Sequence, residues 1–448
     1  MYTKNSNEFL NKSIKIIIKG NIYGISKEEL IKNIVKDYNG DIKNIIDIIR
    51  NIEGIYVIII NDFKTNNTFI INDKLGLYPY YYKKIDNKII HKNDIIKLSN
   101  IMNHSYLNLK SILEIMQLGY ITKNKTIIKG IKKISPGSIL SISYNNEVSE
   151  SKYFNLKAIN NTNIEKIYDN FKKGVEKRVM GEKMYSDLSG GFDSRLIMLT
   201  LIKELKQINI IFITNKYYDI KDTEISKVLA NKLGLNHLIY EDKSVFDNHL
   251  YGFSGLCGGE LLGNSLMKEW FEYENIEEYL IDKNTIIKSK NINYGIKSFI
   301  KNILRSEINT VQGNGWLNPI NQFKSNLLLP FLDTDFLNSI IGLEIDELKN
   351  YKTYKNIYEK YFNEFLDIKY TFNSEREGVN NIEEEFLYFK NYKLNKNEYI
   401  KIVIFNKNNF VKSNLSKLFN YKIIYKKPLE LYGIIKFIEK INNIKGNK

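Results

Sequence analysis

The residues in this chain best suited to chemistry lie in one short run, Asp187-Leu188-Ser189-Gly190-Gly191-Phe192-Asp193-Ser194-Arg195. Two adjacent glycines let a backbone turn sharply and bring its N–H groups close to an anion. Ser189 and Ser194 add hydroxyl donors on either side. A helix is expected from about Ser194, and the start of a helix carries partial positive charge that favours phosphate. Asp193 is out of place beside phosphate unless a cation lies between them, and a carboxylate that shares Mg²⁺ with the phosphates resolves the conflict. The pattern therefore suits a grip on the phosphates of ATP, with Asp193 as the metal ligand. No lysine follows the glycines, so the run is not the loop of ordinary nucleoside triphosphatases. A plain glycine turn between strand and helix is the competing reading.

Such a loop needs a strand before it and a helix after it. Residues 184–188 read as a short strand and 194–205 as a helix. Residues 163–180 place Ile164, Ile167, Tyr168, Phe171 and Val175 at helical spacing. The apolar run 208–214 suits a strand buried on both faces. Residues 223–233 read as a helix, with Asp222 as N-cap and Gly234 as its stop. Residues 236–240 form a further strand. This alternation predicts an α/β region with a parallel sheet and right-handed crossovers, whose ligands bind at the carboxyl ends of the strands. Before residue 155 the texture differs. Short β-rich runs at 14–18, 54–60, 68–72 and 78–82 are separated by Asn66-Asn67 and Asp86-Asn87. They predict antiparallel strands with one or two helices, 109–118 among them. Two domains follow, 1–155 and 160–448.

The chain has 448 residues and is 43% hydrophobic, enough for a sizeable core. No run of ~18 apolar residues is free of charge, so no membrane span is expected. The start, Met1-Tyr2-Thr3-Lys4-Asn5, leads into no signal segment, and a cytoplasmic protein is expected. Cys257 is the one cysteine, which excludes an intramolecular disulfide and a cysteine zinc cluster. The net charge of +15 could suit nucleic acid. However, the lysines run along the whole chain rather than in one block with interleaved aromatics, so the charge reads as solvated surface and nucleic acid is not the expected partner.

The loop resembles the pyrophosphatase loop of the asparagine synthetase family, whose members cleave ATP between the α- and β-phosphates. Further matches follow in order: Ile213-Thr214, Asp222-Thr223-Glu224, Ala230, Leu233-Gly234, His237, Ser254-Gly255 with Gly258, Glu260-Leu261-Leu262-Gly263, and Pro330-Phe331-Leu332-Asp333. His237 equally fits a satisfied structural histidine, and Pro330 to Asp333 reads as packing. In the first half, Gly54 to Asp62 and the run Ile71-Asn72-Asp73-Lys74-Leu75-Gly76-Leu77-Tyr78-Pro79-Tyr80-Tyr81-Tyr82 are similar to the class II glutamine amidotransferase domain of that family. Lys125 to Gly137 is similar to its closing hairpin. The likeness covers roughly 15–390. It implies an α+β N-terminal domain built as an antiparallel β-sandwich. An α/β ATP-pyrophosphatase domain of the adenine nucleotide alpha hydrolase kind follows. It implies phosphate contacts from Ser189, Gly190, Gly191 and Ser194, Mg²⁺ on Asp193, and an adenosine pocket of Leu188, Ile213, Ser254 and Gly255.

This sequence also departs from the family. Glutaminase chemistry there needs a cysteine just after the initiator methionine, with its α-amine as base. Position 2 here is Tyr2, so the first domain is expected to be a catalytically dead scaffold. Members without that cysteine include β-lactam synthetases and lasso-peptide cyclases, which are the better models. Leu256 and Gly259 replace a Glu and an Asp of the family's segment, leaving Glu260 as the catalytic or metal-binding carboxylate. The late catalytic lysine has no clear match. Arg376 is the candidate in its place, able to hold pyrophosphate but not to move a proton near neutral pH, and Lys369 lies a few residues away.

The expected activity is an AMP- and pyrophosphate-forming carboxylate–amine ligase on a small molecule or peptide, using ATP and Mg²⁺, with a homodimer left open. The alternatives are a catalytically degenerate nucleotide-binding relative that acts through a partner protein, and an RNA-modifying enzyme with a similar loop. Cysteine scarcity and the first domain count against the RNA reading.

Overall fold

The computed structural model describes residues 7–101, 108, 111, 121, 123–159, 162–181, 183–216, 220–240, 251–262, 326–341, 343, 347 and 351–370. The first half carries β1 (Glu8–Leu10), β2 (Ile14–Tyr23), α1 (Lys27–Asp37), α2 (Ile46–Arg50), β3 (Glu53–Asp62) and β4 (Asn67–Asn72). It continues through β5 (Tyr81–Ile85), β6 (Lys88–Lys92), α3 (Ile95–Asn100), β7 (Lys132–Lys133), β8 (Ser138–Ile142) and β9 (Val148–Lys152). Six strands pair antiparallel in the order β1-β2-β3-β4-β8-β9, and three more in the order β6-β5-β7.

Side chains alternate across a strand, so β3 divides its apolar residues between two cores. Tyr56, Ile58 and Ile60 pack with Leu30, Ile31 and Ile34 of α1 and Ile49 of α2. Ile55, Val57 and Ile59 pack with Tyr78, Tyr80, Tyr82 and Leu140 on the other face. The turn signals hold: Asn66, Asp86 and Asn87 sit at φ 54, 46 and 61, the left-handed region that Asn and Asp tolerate. The helix expected over 109–118 lies outside the described residues, Ser111 apart.

The second half opens with α4 (Ile164–Glu176), capped by the Asn163 side chain. β10 (Met184–Asp187), α5 (Phe192–Leu199), β11 (Ile210–Asn215), α6 (Ile220–Leu233), β12 (His237–Tyr240), β13 (Tyr251–Phe253), α7 (Gly258–Leu262), β14 (Asn326–Leu328), α8 (Thr334–Ile341) and α9 (Lys352–Tyr361) follow. Their five strands pair parallel in the order β12-β11-β10-β13-β14, so β10 lies at the centre. Helix α5 starts two residues earlier than the pattern suggested, at Phe192, and runs into a π-helical turn over Thr200–Glu204. Asp222 is not an N-cap but lies inside the first turn of α6, because its carboxylate serves another element. Gly234 ends that helix at φ 61, as expected. Among the described residues no helix is long and apolar enough to cross a membrane.

The two halves meet across buried charges. Lys74 Nζ lies 2.5 Å from Glu53 Oε1 at the start of β3, and the Thr334 hydroxyl donates to the same oxygen. Arg178 Nη1 donates to Asp333 Oδ2 at 2.9 Å and to the Gly174 carbonyl at 2.7 Å, and its guanidinium lies 4.8 Å from the Tyr23 ring centre. Pro330, Phe331 and Leu332 do pack in the core, but Asp333 is an ion-pair partner rather than filler. Burial pushes the Asp333 carboxyl up, and the charges of Arg178 and Lys177 outweigh it and hold it below the usual carboxylate range.

Replacing one member of a buried pair leaves the other charge uncompensated. Asp333→Asn is expected to cost about 3–5 kcal/mol in urea unfolding. Asp335→Asn, on the exposed partner of Lys177, is expected to cost under about 1 kcal/mol. Equal losses in the two variants would show that the buried Arg178–Asp333 pair contributes no more than the exposed one.

Candidate functional site

The run 189–194 leaves the carboxyl end of the central strand β10 and enters α5. Its hydroxyls close on each other. Ser189 Oγ and Ser194 Oγ are 2.8 Å apart, the Ser189 amide donates to Ser194 Oγ at 2.9 Å, and the Gly191 amide donates to Ser189 Oγ at 3.2 Å. The Gly190 amide donates to the Asp222 carboxylate at 2.9 Å. The glycine amides expected to face phosphate are therefore spent inside the protein. Two serine hydroxyls hold two protons and their mutual bond uses one, so one O–H remains to donate to another acceptor. The amides of Phe192, Asp193 and Ser194 open α5, and the first turn of a helix leaves such donors without an intrahelical acceptor.

Three elements converge on Asp193. The buried Tyr354 of α9 donates its hydroxyl to Asp193 Oδ1. A Cβ at Gly258 would stand 2.8 Å from both the Asp193 carboxyl carbon and the Tyr354 hydroxyl, and one at Gly255 would stand 2.8 Å from Asp193 Cβ. Only glycine admits that approach. Between them Cys257 is buried at φ 71, so the turn is tight enough to need a left-handed residue. Phe192 anchors the other side of the loop. Its ring stacks on Tyr370 at 3.9 Å and on Tyr354 at 5.3 Å, and its carbonyl accepts from Tyr358 Oη at 2.9 Å.

The strand ends behind the loop are also tied. Thr214 Oγ1 lies 2.6 Å from the Leu188 carbonyl and 2.8 Å from His237 Nε2. A hydroxyl has one proton, and the carbonyl can only accept it, so His237 Nε2 is the donor to Thr214. Burial holds His237 below its ordinary range, with Lys227 adding to the effect, which fits a neutral imidazole in a structural role. The fully buried Arg195 gives Nη2 to the Gly190 carbonyl at 3.2 Å and to the Lys369 carbonyl at 2.7 Å.

Leu188, Ile213, Ser254 and Gly255 all lie at the carboxyl edge of the sheet, with the first two buried and the last two half-buried. Ser254 follows β13 and Gly255 packs on the start of α5, so the 254–258 segment does reach the loop. Glu260 lies on α7, and its side chain is outside the described residues, as is Arg376. Among the described residues no group of three His, Cys, Asp or Glu side chains is placed to hold a metal. Sequence reasoning gave no role to Tyr354, Tyr358, Arg195 or Asp187. The first three carried no local signal. Asp187 did, as an acidic residue immediately before the loop at the end of a predicted strand. Burial pushes its carboxyl up to about 6, against the lowering effect of a hydrogen bond from Ser254.

A carboxyl whose pKa is raised on folding contributes stability that is complete below its unfolded value of 3.8 and is lost as pH rises through about 6. Asp187→Asn keeps an acceptor for Ser254 and removes the charge. It is expected to raise stability by roughly 1–3 kcal/mol near pH 8 and by nothing near pH 4. Thermal melts at the two pH values check this, and a gain independent of pH would contradict it.

A family model described as a glutamine amidotransferase domain matches residues 42–154. Asparagine synthetase [glutamine-hydrolyzing] 3 of Bacillus subtilis (strain 168) is 26% identical over 162 residues, a match covering 34% of this chain and 26% of the relative's length. Among solved structures, the allosteric regulatory enzyme of purine biosynthesis is 8% identical, with 67% of this chain and 73% of that chain covered at a TM-score of 0.23. Glutamine phosphoribosylpyrophosphate amidotransferase from B. subtilis, complexed with ADP and GMP, is 11% identical, with 62% of each chain covered at a TM-score of 0.21. Over residues 42–154 the chain is thus similar to a glutamine amidotransferase domain, and over about a third of its length to an asparagine synthetase, of which it spans about a quarter.

Proposed function

We propose that the chain is an ATP-dependent carboxylate–amine ligase that releases AMP and pyrophosphate. The observation that carries this reading is the placement of Ser189 to Ser194 between the central strand of a parallel sheet and a helix start, in an asparagine synthetase-like chain. Ligands of such sheets bind at the carboxyl ends of the strands. A carboxylate oxygen of the acid forms a bond to the α-phosphorus as pyrophosphate leaves. The amine then forms a bond to the acyl carbon as AMP leaves with the bonding electrons, and the amine gives up a proton.

The donors at the loop fit a nucleotide's phosphates. With the Gly190 and Gly191 amides taken, the first amides of α5 and the outward serine hydroxyl face the anion. Asp193 supplies one carboxylate, and Mg²⁺ is held in such sites by one or two carboxylates with the phosphates themselves. Tyr354 holds that carboxylate in one orientation. Leu188, Ile213, Ser254 and Gly255 enclose the nucleoside. Glu260 and Arg376 remain the candidates at the reacting groups. The chain's single cysteine is buried at Cys257 beside this loop, so no thiol of the chain serves the amidotransferase domain and glutamine is not hydrolysed. The amine is then part of the substrate, a small molecule or a peptide, in a cytoplasmic setting.

One observation favours a second reading. Tyr354 occupies Asp193, and Leu256 and Gly259 stand where carboxylates are expected, as suits a nucleotide-binding relative that acts through a partner.

The purified chain with ATP, Mg²⁺ and a panel of amino acids and peptides is expected to form AMP and pyrophosphate. Tight ATP binding without AMP across a broad panel would favour the second reading. Asp193→Ala is expected to weaken Mg²⁺-dependent ATP binding at least about tenfold, the loss of one charge-assisted contact. Unchanged affinity would sink the nucleotide site itself.

A further inference from the structure

Asp187 ends the central strand β10, half-buried, in register with Ile213 of β11 on one side. On the other side Ser186 pairs with Phe253, which places Ser254 beside the Asp187 carboxyl, and the Ser254 hydroxyl donates to it. Asp187 thus lies among Leu188, Ile213 and Ser254. Burial and that one hydroxyl are the influences on its ionisation, and no described lysine or arginine is among them. A half-buried carboxylate at the end of a central strand, beside a loop suited to an anion, is placed to meet the rest of that ligand.

The chemistry of the ligand follows from what a carboxylate can take. It only accepts hydrogen bonds, through about four lone-pair positions, and Ser254 fills one. Phosphate oxygens offer it nothing. A vicinal diol offers two adjacent O–H donors. Asp187 lies two residues before Ser189, at most about 7 Å along an extended chain. That is the reach of the sugar when the phosphates rest on the serines. The base lies a sugar's length further away.

We propose that Asp187 accepts hydrogen bonds from the ribose hydroxyls of the nucleotide and selects ribonucleotides at this loop. This rests on the nucleotide reading above. Asp187 is then a binding residue that the loop motif does not contain, and Ser254 positions its carboxyl.

The test is titration calorimetry of the full chain with Mg²⁺, using ATP and 2′,3′-dideoxy-ATP as probes. The wild type is expected to bind ATP about tenfold or more tightly over the dideoxy analogue, the loss of one hydrogen bond to a charged group. Asp187→Ala is expected to bind ATP as weakly as the analogue, with affinity for the analogue unchanged. Asp187→Asn keeps the shape and an acceptor, and is expected to fall between the two. The proposal is overturned if Asp187→Ala retains the wild-type preference, if both probes weaken equally in the variants, or if the wild type shows no preference. Failure of the wild type to bind either probe overturns the nucleotide reading, and the proposal with it.

Discussion

The hydrogen bond from the Gly190 amide to the Asp222 carboxylate fixes the geometry on which the site depends. It ties the first turn of α6 to the loop that leaves β10. With Gly190 held on one side by Asp222 and its carbonyl held on the other by Arg195, the backbone has one course open to it. That course brings Ser189 and Ser194 within hydrogen-bond distance and starts α5 at Phe192. A hydrogen bond to a charged acceptor in a partly buried place is among the stronger ones in a protein. The glycines therefore serve the shape of the loop more than direct contact with a ligand. On the proposed reading the donors that face the anion are the start of α5 and a serine hydroxyl rather than the glycine amides.

Two other carboxylates at the same edge are less economically placed. Asp193 is walled by Gly258 and held by a buried tyrosine, and Asp187 is pushed up to about 6 by burial. Contrast Asp333, which two cations hold below the usual range at the junction of the halves. Stability alone would give Asp187 a cation or make it neutral. On the proposed reading Asp187 keeps its carboxylate for a ligand, whereas Asp333 is held by cations.

Much of the framework was legible from local pattern. The alternation in β3, the Asn and Asp turns and the Gly234 stop follow from neighbouring residues alone, and the structure has them where the sequence puts them. The errors have a common physical origin in contacts between distant residues. Helix α5 begins early because Phe192 stacks on tyrosines of α9 and the segment after it, and Tyr354 is 161 positions from Asp193. Asp222 looks like an N-cap locally, and its carboxylate is claimed by Gly190, 32 positions away. Asp187 was visible but mute. Only the register of β10 with its two neighbours brings Ile213 and Ser254 to its sides. Glu260 and Arg376 stay at the level of sequence, since neither side chain is among the described residues.

The net charge of +15 and the acidity of this edge pull in opposite directions. Asp187, Asp193 and Asp222 all surround the loop proposed to take a polyphosphate. Surface lysines act over distance, and at physiological salt their field decays within about 8 Å. They can speed the arrival of an anion but cannot offset carboxylates a few ångströms from it. The offset has to be local. On the proposed reading it comes from Mg²⁺ on Asp193 and from the positive end of α5. Asp187 on this reading faces the sugar, where a negative acceptor is an advantage, and lies further from the phosphates than Asp193 does.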